Sequence, residues 1–304
     1  MNNKEIITIV VISDAHYFIL LAALIKSIEA NLDKNCIIDL WVIEDGINSD
    51  DKIKLKKSIN STITNLHWKE KRDIIPKGIV LPRDKTSFPT NIYYRFFITN
   101  FISPTVKKVI YLDVDMIVNV DILKLWQIDI SDYVVGAVVD NNVKTFDNEW
   151  GGIKNYKDFN LPAKAKYFNS GLLLINIEKW KENDITKEAV KCIRENIKYA
   201  DYPDQYALNI LLYNKWLEID PLWNIFASND VENPYIIHFT GRKPIYKSYT
   251  NIMKYKKIFY NYINLTEWRG TPEINEISRY FKKIKNVLNK INFKKYLFLD
   301  IDNS

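Results

Sequence analysis

Residues 109–118, VIYLDVDMIV, constrain the fold of this chain more than any other stretch. The run Val109, Ile110, Tyr111, Leu112 lacks polar alternation, as a central β-strand covered on both faces does. Two carboxylates then interrupt it. Asp113 and Asp115 are two residues apart, so on an extended strand both point to one face, about 7 Å from each other. Two anions converging at the end of a buried strand need a cation or a proton between them. The plainer alternative is a strand running into an ordinary turn, with Asp115 solvated.

The rest of the chain supplies the layers that such a strand requires. With 304 residues, 47% hydrophobic and 26% charged, it fits one large α/β domain with an appendage, or two modest domains. Residues 6–12 (IITIVVI) are a β-branched run followed by a polar turn and an apolar helical stretch over 18–30. That first βα unit places Asp14, His16 and Tyr17 at the carboxyl end of a strand, where open sheets bind ligands; capping of the helix would also explain Asp14. A second unit has a strand over 37–43, a turn at Glu44, Asp45 and Gly46, and a helix from Ser49. A third strand is expected over 65–69, then a loop over 72–89. A helix over 90–101 carries Arg95 as a lone cation among aromatics, either snorkelling or binding an anion.

A further buried strand over 134–139 ends at Asp140, and 141–166 reads as a long flap. In FNSGLLLIN, residues 168–176, the Asn, Ser and Gly predict a sharp turn with exposed amides before the strand, and Gly171 permits close backbone approach. A helix opening at Asp184 or Thr186 runs to about 198. Pro203, Asp204 and Gln205 open another. The strand YIIHF, residues 235–239, ends in His238, and the basic, glycine-containing turn Thr240, Gly241, Arg242, Lys243 suits a phosphate.

Cys36 and Cys192 have no motif spacing, which argues against disulfides and thiolate metal sites. No run of eighteen apolar residues occurs, and the start MNNKEIITIVVIS lacks a cleavable apolar segment, so a cytoplasmic protein is expected. The net charge of +6 is uneven. From Arg242 onward fourteen Lys and Arg stand against five Asp and Glu, a balance of +9, leaving −3 for residues 1–241. Ile277, Phe281, Ile284, Leu288 and Ile291 recur at spacings of four and three, opposite Arg279, Lys282, Lys283, Lys285 and Lys290. This basic amphipathic helix either docks on the main domain or lies on an anionic membrane surface. The scarcity of acids among its lysines favours the membrane.

The order of motifs resembles the retaining glycosyltransferases of family 8, in particular bacterial enzymes that add galactose or glucose to the outer core of lipopolysaccharide. The residues carrying the resemblance are SDAHY after the first strand, YYRFFI, YLDVDMIV, FNSGLLLIN with the following Trp180, Asp204 with Gln205, HFTG at 238–241 and EWRG at 267–270. It implies a GT-A fold: an open mixed sheet flanked by helices, taken to span residues 1–250; the charge and apolar spacing described above mark 251–304 as a basic helical tail, a candidate for attachment to the inner face of the cytoplasmic membrane. It implies a UDP-sugar donor (UDP-galactose or UDP-glucose), a divalent cation, Mn2+ or Mg2+, and an oligosaccharide or glycolipid acceptor, with no nucleic-acid partner. Asp113, Asp115 and His238 would ligate the metal, and carboxylates with imidazole suit manganese. Ile12, Asp14, Tyr17, Gly241 and Lys243 would hold UDP. Arg95, Asp140, Asn169, Ser170, Asp204 and Gln205 would hold the transferred sugar, with Asp204 and Gln205 at the reacting centre.

One departure stands out. The family's lysine six residues after the histidine is Pro244 here, and Ile245 replaces the tryptophan that follows, so Lys243 must reach the diphosphate through a shorter turn, or Arg242 takes that role. Two other readings are open. Aspartyl-nucleophile phosphatases share a DxD strand but place it near the chain start, and a UDP-sugar-binding module without turnover would keep the same residues.

Overall fold

The computed structural model describes residues 4–83, 86–277, 280, 281, 284, 285 and 288. Its strands are β1 (Glu5–Asp14), β2 (Cys36–Asp45), β3 (Thr64–Glu70), β4 (Lys108–Asp113), β5 (Met116–Val118), β6 (Val135–Val139), β7 (Phe168–Asn176), β8 (Trp216–Glu218), β9 (Ile225–Phe226) and β10 (Ile236–His238). Seven of them form one sheet in the order β3-β2-β1-β4-β7-β6-β8, and β5-β10-β9 form a second, small one. In the large sheet β7 runs antiparallel to both its neighbours, and the other pairs are parallel.

Alternation along the central strands explains the two helical layers. On β1, Ile7, Ile9 and Val11 enter one core cluster, while Val10 and Ile12 enter the other. On β4, Ile110 and Leu112 face the first cluster, Val109 and Tyr111 the second. The helices Phe18–Asn31 and Met253–Ile263 cover the first face. The stretch Thr90–Asn100 and the helices Ile177–Glu182, Ile185–Asn196 and Pro203–Leu211 cover the second. Both faces are sealed, which is why these strands read as unbroken apolar runs.

The strand directions also gather the polar ends. β1, β4 and β6 finish on the edge where the antiparallel β7 begins, since Ile12 lies in register with Asp113 and Val139 with Phe168. Asp14, Asp113, Asp140 and Asn169 therefore meet along one edge of the sheet.

Several expectations need correction. Residues 109–118 are not one strand: the chain turns at Val114 and Asp115, and β5 leaves the large sheet to pair antiparallel with β10. The Asp115 carbonyl accepts the Phe239 N–H at 2.8 Å, so the turn is fixed by a partner more than a hundred residues away. Asn169, Ser170 and Gly171 form no turn either; they are buried strand residues within β7. Their neighbours satisfy their polar groups, so the exposed amides expected there do not exist. Thr90–Asn100 winds as a 3₁₀ helix; apart from Arg95 it holds none of the strong α-helix formers. The loop over 72–89 starts inside a short helix, Lys71–Ile74.

The boundary expected at residue 250 falls in packed structure. Tyr255, Phe259 and Ile263 are buried in the first cluster, and the Ile274 N–H bonds the Ile245 carbonyl at 2.8 Å. Most of the basic helix expected over 277–291 lies outside the described residues. Among the described residues no helix is long and apolar enough to cross a membrane.

A fold held by this double burial predicts a contrast. Leu174→Ala, at a fully buried position of β7, costs about 2–5 kcal/mol. Ile53→Ala, at a half-exposed helix position, changes stability by about 0.5 kcal/mol or less. Urea unfolding of both variants checks it, and equal losses would contradict the placement of β7.

Candidate active site

The sheet edge opens into a cleft of about 480 Å³, a size that suits a small-molecule ligand. Most of the residues singled out from the sequence line it: Ile12, Asp14, Tyr17, Arg95, Asp113, Asp115, Asp140, Asn169, Ser170, Asp204, Gln205, His238, Gly241 and Lys243; His16 and Arg242 are not among its lining residues.

Its centre is a buried guanidinium. Arg95 Nη2 donates to Asp113 Oδ1 at 3.0 Å, and Nη1 lies 3.2 Å from Asp204 Oδ2. Nη1 also donates to the Ser170 carbonyl at 2.7 Å and to Ser170 Oγ at 3.0 Å, while the group stacks over the Tyr111 ring at 4.7 Å. Burial alone would push the arginine toward neutrality, but Asp113 and Asp204 outweigh it and hold the cation firmly charged. Arg95 is thus no snorkelling side chain; it binds the anionic groups of its own protein.

Asp113 and Asp115 are treated differently by their surroundings. Burial, and the neighbouring Asp115 charge, raise the Asp113 carboxyl against the pull of Arg95. Burial acts on Asp115 too, but the neighbouring Lys243 ammonium overrides it and holds that carboxyl below the usual range. Lys243 Nζ forms an ion pair with Asp115 Oδ2 and donates to the Phe239 carbonyl at 2.8 Å. Arg242 turns outward instead, toward Glu276 and the Ser248 carbonyl.

His238 arrives from β10, where it pairs with Met116. Its Nε2 is 3.4 Å from Asp115 Oδ1 and 3.9 Å from Asp113 Oδ2. The ligand atoms of these three residues all lie within 4.8 Å of one another. Hydrogen-bond polarity decides which imidazole nitrogen faces the acids. The Gly171 N–H can only donate, and it donates to Asn169 Oδ1 at 3.0 Å. Asn224 Nδ2 donates to that same oxygen at 2.9 Å, which turns Asn224 Oδ1 toward His238 Nδ1, 2.9 Å away. In the neutral ring Nδ1 therefore carries the proton, and Nε2 presents a lone pair to two carboxylates. Three electron-rich groups pointing at one another make a poor contact among themselves and a good cage for a cation. Packing agrees: a Cβ on Gly171 would stand 2.6 Å from His238 Cε1 and 2.8 Å from Asp113 Oδ2.

The remaining carboxylates are tied down. Asp140 Oδ1 accepts the N–H groups of Asn142 and Val143 at 2.8 and 3.0 Å, and Oδ2 accepts from Asn169 Nδ2 and Gln205 Nε2 at 2.9 and 3.2 Å. Gln205 Oε1 accepts from the Ser170 N–H at 2.9 Å and from Asn169 Nδ2 at 3.0 Å. Asp14 Oδ1 accepts the N–H groups of His16 and Tyr17 at 3.0 and 3.1 Å, in the turn that precedes the helix; the helix has Tyr17 at its N-cap and no side-chain cap, so the capping expected of Asp14 is not found, and its carboxylate lines the cleft. Five aspartates against Arg95 and Lys243 leave the cleft three charges negative with His238 neutral. Such a site attracts a cation, and needs one to take an anionic ligand.

The model of glycosyl transferase family 8 matches residues 8–244. The chain belongs to this family. General stress protein A of Bacillus subtilis is 30% identical over 299 residues, which cover 91% of this chain and all of that protein. The lipopolysaccharide 1,3-galactosyltransferase of Salmonella typhimurium is 27% identical over 200 residues, 64% of this chain and 53% of that enzyme. The solved structure of the galactosyltransferase LgtC in complex with donor and acceptor sugar analogs superposes with a TM-score of 0.72, at 23% identity over 87% of this chain and 99% of that one. The open mixed sheet with flanking helices is the GT-A fold. As a family 8 member the chain is a glycosyltransferase, and the phosphatase reading has no support in these relationships.

Two contributors to the site were missed in the sequence. Asn224 is fully buried in a short 3₁₀ turn, Pro221–Asn224, and carries no pattern that separates it from a loop asparagine. Tyr111 donates to Asp113 Oδ1 at 2.6 Å; its place two residues before Asp113, on the same strand face, was the available signal.

Replacing Arg95 tests the electrostatic centre. Arg95→Met leaves the partly buried Asp113 and the buried Asp204 without their cation and lowers stability by about 3 kcal/mol in urea unfolding. A loss under about 1 kcal/mol would mean that the guanidinium is not what holds these acids together.

Proposed function

We propose that this family 8 glycosyltransferase moves galactose or glucose from a UDP-sugar to a saccharide acceptor, with retention of configuration and with a divalent cation, manganese or magnesium. The observation that carries this reading is the cage of Asp113, Asp115 and the Nε2 lone pair of His238, set beside the bonded sugar-sized group of Arg95, Asp140, Asn169, Ser170, Asp204 and Gln205. The donor set fits a hard or borderline divalent ion. When bound, that ion would neutralise the charge developing on the leaving diphosphate.

The protein's own residues do the rest. Ile12, Asp14 and Tyr17 at the end of β1 hold the uracil, Tyr17 by stacking. Gly241, at φ +73°, turns the chain so that Lys243 faces the cleft, where it contacts the diphosphate. Arg95 fixes Asp204 and Ser170, while Asp140, Asn169 and Gln205 present a preformed polar wall to the sugar. Both acceptor positions of Gln205 Oε1 are already taken by Ser170 N–H and Asn169 Nδ2. An amide is a poor nucleophile, and one so engaged is poorer. This supports same-face attack: the bond from the anomeric carbon to the phosphate oxygen breaks, the acceptor oxygen bonds on the same face, and its proton passes to the leaving phosphate. Gln205 stabilises positive charge at the anomeric carbon.

The acceptor we assign is a glycolipid of the lipopolysaccharide or lipooligosaccharide outer-core kind, in line with the activity for which the Salmonella relative is named. The tail supports a site of action at an anionic membrane surface on the cytoplasmic side. Ile277, Phe281 and Ile284 are more than half exposed and Leu288 nearly half, next to the exposed Lys285, and an apolar stripe beside lysines suits a lipid surface. The catalytic unit on this reading is the packed body, with the membrane-binding segment following Ile274.

Release of UDP from a panel of UDP-sugars tests the reading. Turnover of UDP-galactose or UDP-glucose is expected to need Mn2+ and to fall about a thousandfold or more in Asp115→Ala, with an α-linked product by NMR. Absence of any UDP binding would sink the assignment; UDP binding without turnover would favour a binding module. Asn224→Ala, which removes the partner of His238 Nδ1, is expected to weaken Mn2+ affinity about 10–100-fold without unfolding the protein. Unchanged affinity would deny Asn224 its orienting role.

A further inference from the structure

We infer that Lys243 is an internal counter-cation for Asp115, which holds the place of the divalent ion and makes metal affinity conditional on the nucleotide. The inference rests on the metal and nucleotide assignments proposed above, and concerns what Lys243 does before either ligand is bound.

Three observations carry it. First, the Nζ of Lys243 is paired with Asp115 Oδ2, on a carboxylate whose other oxygen, Oδ1, lies 3.4 Å from His238 Nε2. The ammonium group and the metal cage therefore share one carboxylate. Second, the ammonium is held by the Phe239 carbonyl at 2.8 Å and lies 5.8 Å over the Tyr17 ring, with the side chain only 13% exposed. It is a seated group, poorly screened by solvent. Third, the backbone beneath it is anchored. The Lys243 carbonyl accepts the Tyr246 N–H at 3.1 Å, and Tyr246 is fully buried with its hydroxyl bonded to the His16 ring. Only the four-carbon side chain is free to move.

The consequence is electrostatic. A divalent ion held by Asp115 would stand a few ångströms from a seated monovalent one, and at such range like charges repel strongly even with substantial screening. The ion alone must therefore displace Lys243 from Asp115 or bind against it, and either weakens binding. A nucleoside diphosphate changes the balance, because its oxygens can serve both cations at once and turn the repulsion into a shared attraction. Metal and nucleotide then strengthen each other's binding reciprocally, with Lys243 supplying part of the coupling. Meanwhile the lysine keeps Asp115 compensated inside a cleft that is three charges negative.

The test is Mn2+ binding to the full chain, followed by the electron paramagnetic resonance of the free ion, with and without UDP. Without UDP, Lys243→Met and Lys243→Gln are both expected to bind Mn2+ roughly tenfold or more tightly than wild type. The factor by which UDP strengthens Mn2+ binding is expected to shrink in both. A lysine that only supports the fold, or only contacts the nucleotide, leaves Mn2+ affinity without UDP unchanged or weaker, and either result in both variants overturns the inference. Adding Asp115→Ala to Lys243→Met must abolish the gain; a gain that survives belongs to another ion site and equally overturns it. UDP-dependent Mn2+ binding in wild type with no gain in the variants fails this inference alone. Absence of Mn2+ binding even with UDP fails the metal assignment, and this inference with it.

Discussion

The site depends on one constraint: several carboxylates must stay buried together at a sheet edge. Arg95 makes that tolerable by bridging Asp113 and Asp204 while stacking on Tyr111. Burying a guanidinium is itself unfavourable, and it is stable here because Nε, Nη1 and Nη2 each donate to an acceptor and the cation lies over the Tyr111 ring. The arrangement is mutual, since the acids hold the arginine charged and the arginine lets the acids be buried. Asp115, on the far side of the turn, is compensated separately by Lys243.

The mixed sheet is what makes such convergence geometrically available. An antiparallel β7 between β4 and β6 brings the start of one strand to the ends of its neighbours, so Asn169 and Ser170 face Asp113 and Asp140 directly. The small sheet then delivers His238 across from Met116. A polarity relay from the Gly171 N–H through Asn169 and Asn224 turns the imidazole lone pair inward. Apart from Gly171 and Asn169 these groups are distant from their partners in the chain, and strand pairing brings most of them together before any ligand arrives. That preorganisation suits a reaction in which charge develops on a leaving diphosphate.

Much of this was legible early. Apolar runs of the right length marked β1, β2, β4, β6 and β7, because burial on both faces leaves a compositional trace at every residue. Most candidate residues were legible as polar interruptions at the ends of those runs, with Arg95, Asp204 and Gln205 read on helical stretches, and all but His16 and Arg242 line one cleft. The failures are equally physical. Residues 109–118 read as one strand because each half is apolar, and apolarity carries no record of which sheet a strand joins. Asn169, Ser170 and Gly171 read as a turn because these residue types favour turns when their polar groups face solvent. Here Gln205 and Asn169 side chains satisfy those groups inside the sheet.

The sequence by itself determined the α/β layering, the strands that form the sheet centre and the chemical kinds of group at their ends, since periodicity and composition are local properties. Tertiary structure alone decided the break after Asp113, the choice of Lys243 over Arg242 to face the cleft, and the imidazole nitrogen offered to the carboxylates. Those outcomes depend on contacts between segments as much as 128 residues apart, and the direction of a hydrogen bond or the seat of an ammonium group is set only when both partners are in place.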